Sequence, residues 1–259
     1  REKAVITAFG TTRIFVAGDA TASYYGPHLA PRMGWGQALE RKLKEGARVR
    51  VINLAQPGRS ARSFASEGWL DVIGRNIREG DYLFIQFGLS DQRCGNGHAL
   101  SRRDLSDIAN LCAYPGFDPR IPPERSFANT LTRYVKLARE NGATPVMLTP
   151  VTRINLDPRN SVKGIFPIRK STHIVQGGSF PGDYSRTVRN VATSSKVPLI
   201  DLDARSIDAF NKVGDPGWKD YYLAVDPDKY PYYSEGAVGN LLTPDNSVFQ
   251  ERGALAVAD

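Results

Sequence analysis

Residues 15 to 25, FVAGDATASYY, carry the first side chains that could do chemistry. The apolar run Ile14 to Ala17 reads as a buried strand that ends at Gly18-Asp19. Residue 20 is therefore delivered to the C-terminal edge of a sheet, where open α/β folds build their sites. A Ser at this point would be a nucleophile. The chain has Ala20, which has no oxygen to attack with. Ser23 lies three residues further on, and His28, His98 and His173 are the imidazoles that could serve a rebuilt Ser-His pair. Tyr24, Tyr25 and Arg59 could instead support elimination on a polysaccharide. A lone Ser or His in a loop is mostly polar surface, and spacing alone carries neither reading. Asp19 reads as the cap of a helix starting near Thr21 or as an acceptor for the loop backbone.

The two cysteines, Cys94 and Cys112, share one polar, Gly-rich stretch. Free cysteines usually sit in cores, so two in a long loop are read as a disulfide closing it. Such a bond implies an oxidising compartment, and the chain is expected to be secreted or periplasmic. With only His98 nearby, the pair lacks metal-ligand spacing, and no metal site is expected. The chain carries a net charge of +7, which fits either a solvated basic surface or affinity for an acidic polysaccharide. No Lys/Arg block or aromatic motif points to nucleic acid. No apolar run approaches the roughly 18 residues of a membrane span. There is no signal-like N-terminus and the first residue is Arg1, which reads as a processed or trimmed chain.

These side chains must be held by a scaffold, and its pattern is β-α-β-α. Strands are expected at Arg13-Ala17, Arg48-Asn53, Tyr82-Gln86, Thr144-Thr149 and Pro198-Leu202. Each is apolar without clean alternation, as strands covered on both faces are. Between them lie amphipathic segments. WGQALERKLKEG sets Ala38, Leu39 and Leu43 on one side and stops at Gly46. SFANTLTRYVKLARENG sets Phe127, Leu131, Tyr134, Val135 and Ala138 on one stripe and stops at Gly142. DYSRTVRNVATSS and FQERGALAVAD are two further helices. The rhythm predicts one domain, residues 1–259, with a parallel sheet between helical layers. Long connections follow at 88–124 and 213–247. The second is dense in Trp218, Tyr221, Tyr222, Tyr230, Tyr232 and Tyr233, and is expected to form an aromatic rim for sugars.

Four stretches taken together resemble the SGNH (GDSL-like) hydrolases, in the branch of rhamnogalacturonan acetylesterase-like carbohydrate esterases. AGDATAS stands where the family has its GDS nucleophile motif, followed by GWGQAL (Gly34-Leu39). NLAQPGRSARSF puts Gly58 at the oxyanion-hole glycine. FGLSDQ stands where the family has FGHND, with Leu89 for His, Ser90 for Asn, and Asp91 retained. DNSVFQ stands for DxxHF, with Asp245 and Phe249 kept and Val248 for His. The matching order along nearly the whole chain implies a three-layer α/β/α sandwich with about five parallel strands, flavodoxin-like in topology.

The resemblance implies acyl transfer without a cofactor, and the residues withhold it. Ala20, Ser90 and Val248 remove the nucleophile, an oxyanion donor and the general base. The reading is a catalytically degenerate esterase-like domain. It would bind a plant or microbial polysaccharide, acidic or acetylated, or a protein partner such as an active esterase domain or subunit. The alternatives are a carbohydrate O-acetylesterase present as an inactive variant, a repurposed polysaccharide-active enzyme, or a scaffold without a ligand. An open polar cleft is expected above Ala20, with Asp19, Gly58, Arg59, Asp91 and Asp245 around it, Tyr24 and Tyr25 beside it, and Trp218, Tyr232 and Tyr233 on the rim. The cysteine pairing is checked by thiol titration of the denatured, unreduced protein. No free thiol is expected, and closure of the loop contributes roughly 3 kcal/mol. Two free thiols would refute the pairing.

Overall fold

The computed structural model describes residues 10–93, 113–116, 118–120, 123–177, 180–234 and 236–259. Five strands form a parallel sheet: β1 (Thr12–Gly18), β2 (Val49–Asn53), β3 (Tyr82–Gln86), β4 (Thr144–Leu148) and β9 (Leu199–Ile200). Their order is β2-β1-β3-β4-β9, the flavodoxin-like arrangement. Three antiparallel pairs lie outside it: β5 (Leu156–Asp157) with β6 (Asn160–Gly164), β7 (Ile174–Val175) with β8 (Gly182–Asp183), and β10 (Tyr222–Leu223) with β11 (Asp245–Phe249).

Successive side chains on a strand face opposite sides, and both sides here are apolar. Phe15, Ala17, Leu83, Ile85 and Met147 pack against α2 (Ala61–Ser66), α3 (Trp69–Asn76), α4 (Phe127–Glu140) and α5 (Tyr184–Ser195). Ile14, Val16, Phe84, Val146 and Leu148 pack against α1 (Trp35–Lys42), α6 (Leu202–Val213) and α7 (Glu251–Val257). The result is the expected α/β/α sandwich. Helix starts follow local chemistry. Ser60 and Ser63 form a capping box at α2, and Ser126, Asp183 and Asp201 each accept a backbone N–H of the first turn of α4, α5 and α6. Helix α1 stops at Lys42, short of the expected Gly46. Residues 44–48 are exposed, so further helix would bury nothing.

One close approach positions the edge of the sheet. A Cβ on Gly34 would lie 2.2 Å from the Ser23 carbonyl oxygen, and one on Gly36 would lie 2.5 Å from that of Ala22. Between these glycines, the Trp35 N–H donates to Thr21 O (2.9 Å) and its indole Nε1–H donates to Gln86 Oε1 (3.1 Å). Asn53 Nδ2 donates to Ala22 O (2.8 Å). The loop leaving β1 is thus wedged between α1, β2 and β3. Gly34→Ala is expected to lower stability by about 1–3 kcal/mol in urea unfolding, because backbone must move to admit the methyl group. Gly177→Ala, where nothing lies within 4 Å, is expected to be near neutral. Equal effects would contradict the wedge.

Candidate functional site

The buried carboxylate of Asp19 organises the loop after β1. Its Oδ1 accepts the Thr21 N–H (3.0 Å) and lies 2.8 Å from Thr21 Oγ1, while Oδ2 accepts the Leu89 N–H (3.2 Å). No helix starts at Thr21. Residues 20–22 form a turn, so the cap reading gives way to the backbone-acceptor one. Burial pushes the Asp19 pKa up to about 6, against the opposing effect of its hydrogen bonds to Thr21 and Leu89. Ala20 follows. Among the described residues, no protein acceptor meets the N–H of Ala20 or of Gly58, and the Ser90 hydroxyl has no partner. Gly58 has φ +72°, with open space where a Cβ would stand. These three groups follow the C-terminal ends of β1, β2 and β3, which are neighbours in the sheet.

Asp91 and Asp245 both have structural duties. Asp91 Oδ1 accepts the Ala61 N–H at the start of α2, and Oδ2 accepts the Gly88 N–H, each at 2.9 Å. Burial pushes its pKa up to about 8, with the charge of Asp19 adding to the rise. Asp19 and Asp91 are fully buried, which removes both from the expected ligand-facing set. Asp245 Oδ1 accepts the N–H of Ser247 (2.9 Å), the hydroxyl of Ser247 (2.7 Å) and the N–H of Val248 (3.1 Å). Its Oδ2 accepts no hydrogen bond among the described residues. The carboxylate therefore holds the irregular backbone of β11 that carries Val248.

The rebuilt pairs do not assemble. Ser23 is buried and donates to Asp19 O (2.7 Å). His173 is buried, with Nε2 on Val151 O (2.8 Å) and Nδ1 on Gln92 Nε2 (2.6 Å). Burial pushes its pKa down to about 3, so it is a neutral imidazole that donates to the carbonyl and accepts from the amide. His28 stands edge-on to Tyr232, with ring centroids 6.2 Å apart. Arg59 pairs with Glu67 at 2.9 Å. His98, Cys94 and Cys112 lie outside the described residues.

The expected aromatic rim is largely core. Trp218 is fully buried and donates Nε1–H to Asp215 (2.9 Å). It packs against Tyr222, which also meets Phe210 and Phe249. Tyr233 is buried and donates its hydroxyl to Leu29 O. Tyr25 is buried, donates to Ala20 O (2.8 Å), and is pushed up to about 12 by burial. Tyr24 and Tyr232, 62% and 58% exposed, offer a face to solvent, while Tyr221 and Tyr230 are half-buried. The expected polar cleft directly above Ala20 is also altered. Ala20, Leu89, Ser90 and Val248 are all buried, because the apolar replacements are withdrawn from water. None of these four lines the cavity of about 240 Å³ that Tyr24, Tyr25, Arg32, Gln37, Arg41 and Glu251 help line, and Tyr25, through its hydrogen bond to Ala20 O, joins the two.

Sequence reasoning missed Arg32 and Gln86. Arg32 stacks on the Tyr25 ring, with Cζ 4.4 Å from its centroid. Both Arg32 and Asp245 act electrostatically on Tyr25 and Tyr233, yet they do not form an ion pair. The available signal was position: Arg32 lies two residues before Gly34-Trp35-Gly36. Gln86 ends β3 and joins Trp35 to the Asp19 turn. No group of metal-ligating side chains occurs among the described residues.

No family model matches the chain. Rhamnogalacturonan acetylesterase RhgT of Bacillus subtilis (strain 168) is 32% identical over 247 residues, covering 95% of this chain and 86% of its own length. Probable rhamnogalacturonan acetylesterase YesY of the same organism is 30% identical over 210 residues, covering 81% and 79%. Among solved structures, the protein YxiM from Bacillus subtilis has a TM-score of 0.63 at 22% identity, a likeness of fold. The match covers 96% of this chain and 54% of YxiM, so the chain spans about half of that protein.

The two buried carboxyls make stability depend on pH. Both pKa values are raised on folding, so the folded state holds protons that the unfolded chain releases. Their contribution is fully present below the ordinary carboxylate range and is lost as pH rises through about 6 for Asp19 and about 8 for Asp91. The depressed pKa of His173 opposes this fall below pH 7, so the thermal midpoint is expected to fall between pH 7 and pH 9, where the Asp91 contribution is still being lost. Asp91→Asn lowers the midpoint at pH 5, because an amide nitrogen cannot accept from both N–H groups, and it also flattens the decline. An unchanged slope in this variant would contradict the assignment.

Proposed function

The chain belongs to the rhamnogalacturonan acetylesterase family of SGNH hydrolases, and from that premise we propose that it holds carbohydrate without cleaving esters. The observation that carries the reading is the methyl group at position 20 inside an otherwise assembled nucleophile loop. Asp19 still ties that loop to the exit of β3, and the N–H groups of Ala20 and Gly58 remain without protein acceptors among the described residues. The donors for a polarised oxygen persist, whereas the attacking oxygen and the base do not. In serine hydrolases the loss of one triad member costs on the order of 10⁴ to 10⁶ in kcat. Because nucleophile and base act as a unit, either loss is sufficient.

The names of the relatives, rhamnogalacturonan acetylesterases, support a polysaccharide as ligand, and we take it to be a plant or microbial polymer that is acidic or acetylated. The net charge of +7 favours an anionic polymer. On this reading the protein works outside the cytoplasm, where such polymers are, alongside an active esterase. On this reading the ligand lies at the C-terminal edge of the sheet and reaches the cavity lined by Tyr24, Tyr25 and Arg32.

Hydrolysis of p-nitrophenyl acetate tests the silence. The unmodified protein is expected to stay at background. Ala20→Ser alone stays inert for want of a base, and Val248→His alone for want of a nucleophile. The double variant gains weak activity, since Asp245 Oδ2 is open to orient an imidazole. Ser90→Asn adds a further factor of roughly 10² to 10³ if its amide reaches the oxyanion. Ordinary enzyme rates from the unmodified protein would overturn the reading. An inert but folded triple variant would show that the edge has moved away from acyl-transfer geometry.

A further inference from the structure

Two guanidinium groups line the cavity that Tyr25 joins to Ala20, and they differ in charge balance. Arg41 is neutralised by Glu251. Arg32 has no carboxylate within ion-pair distance among the described residues, and its buried Nε has no hydrogen-bond partner. Its guanidinium lies over the Tyr25 ring and also meets the Tyr25 hydroxyl, a neutral partner that leaves the charge unbalanced. A partly buried cation without a counter-ion is costly, and the planar fork of Arg matches a carboxylate edge.

The surroundings hold this guanidinium in place. The Tyr25 backbone is clamped by Gln37, whose Oε1 accepts the Tyr25 N–H (3.0 Å) and whose Nε2 donates to Tyr25 O (3.2 Å). Arg32 itself is bridged to Gln250, and the neighbouring Met33 N–H donates to Phe249 O (3.1 Å). The wall therefore needs no rearrangement to receive a ligand. Tyr24, largely exposed, lines the same cavity and presents an apolar face. A volume of about 240 Å³ falls below the ~300–1,000 Å³ of sites for drug-sized ligands and suits a single ring.

We propose that this cavity is a carboxylate-recognition subsite, in which Arg32 pairs with the acidic group of a ring lying against Tyr24. The proposal rests on the carbohydrate-binding reading for the source of that ring, a uronic acid unit within a polymer. Arg32 then acts as the specificity residue that separates an acidic sugar from its neutral counterpart. Tyr25 spans the distance to the former nucleophile position through its hydrogen bond to Ala20 O.

Calorimetric titration with a hexuronate trisaccharide and with its methyl ester isolates the carboxylate, since both share the same rings. Benzoate, an acidic ring that is not a sugar, forms a third arm. The protein is expected to bind the acid at least about tenfold more tightly than the ester at low salt. Arg32→Gln is expected to abolish that preference while its thermal midpoint shows it folded, and Arg32→Lys is expected to restore part of it. Tyr24→Ala is expected to weaken acid and ester alike. Equal binding of acid and ester by the unmodified protein, or a preference that survives Arg32→Gln, would overturn the subsite and leave the carbohydrate reading standing. Arg32-dependent binding of benzoate with no binding of either sugar would support the subsite and overturn the carbohydrate reading. Binding of none of the three would overturn both.

Discussion

The C-terminal edge of the sheet depends on one buried carboxylate. Asp19 takes hydrogen bonds from the loop leaving β1 and from the loop leaving β3. The carboxylate is fully buried, and burial raises its pKa against the opposing hydrogen bonds and the charge of Arg93. Such a group is tolerated only when its oxygens are satisfied, so the two loops cannot drift apart without stranding it. The Thr21 hydroxyl extends the link toward Gln86, and Gln86 extends it to the Trp35 indole. The close approach at Gly34 and Gly36 then presses α1 onto the same turn. This framework would hold a nucleophile in register, and here it holds a methyl group. Losing the reactive atoms costs the framework nothing, because none of its bonds runs through them.

Much of the scaffold was legible in the sequence. The five sheet strands are visible because each is apolar on both faces, which few other patterns imitate. Boundaries and surfaces were less legible. Helix α1 continues its apolar pattern to Leu43, but the helix ends where burial ends, and burial is a property of the neighbours. The aromatic stretch around Trp218 looked like a rim because composition does not say which way a ring faces. Trp218 and Tyr222 instead fill the layer beneath α6 and α7, and Tyr233 reaches back to Leu29. Arg32 was invisible for the complementary reason. A single Arg in a loop has no period, and its setting depends on a bridge to Gln250 at the far end of the chain.

The hydrogen bonds that position this edge surround Ala20, Leu89 and Val248. Val248 donates its backbone N–H to Asp245 within β11, Leu89 donates its backbone N–H to Asp19, and both apolar side chains are buried. Tyr24, by contrast, is exposed and lines a cavity together with Arg32.

The most direct measurement exposes the unmodified protein to an acetylated pectic polysaccharide. It follows bound protein and released acetate in the same sample. Saturable retention on the polymer, with acetate release no faster than in a protein-free control, is the predicted result. Acetate released over many turnovers per protein molecule would contradict it.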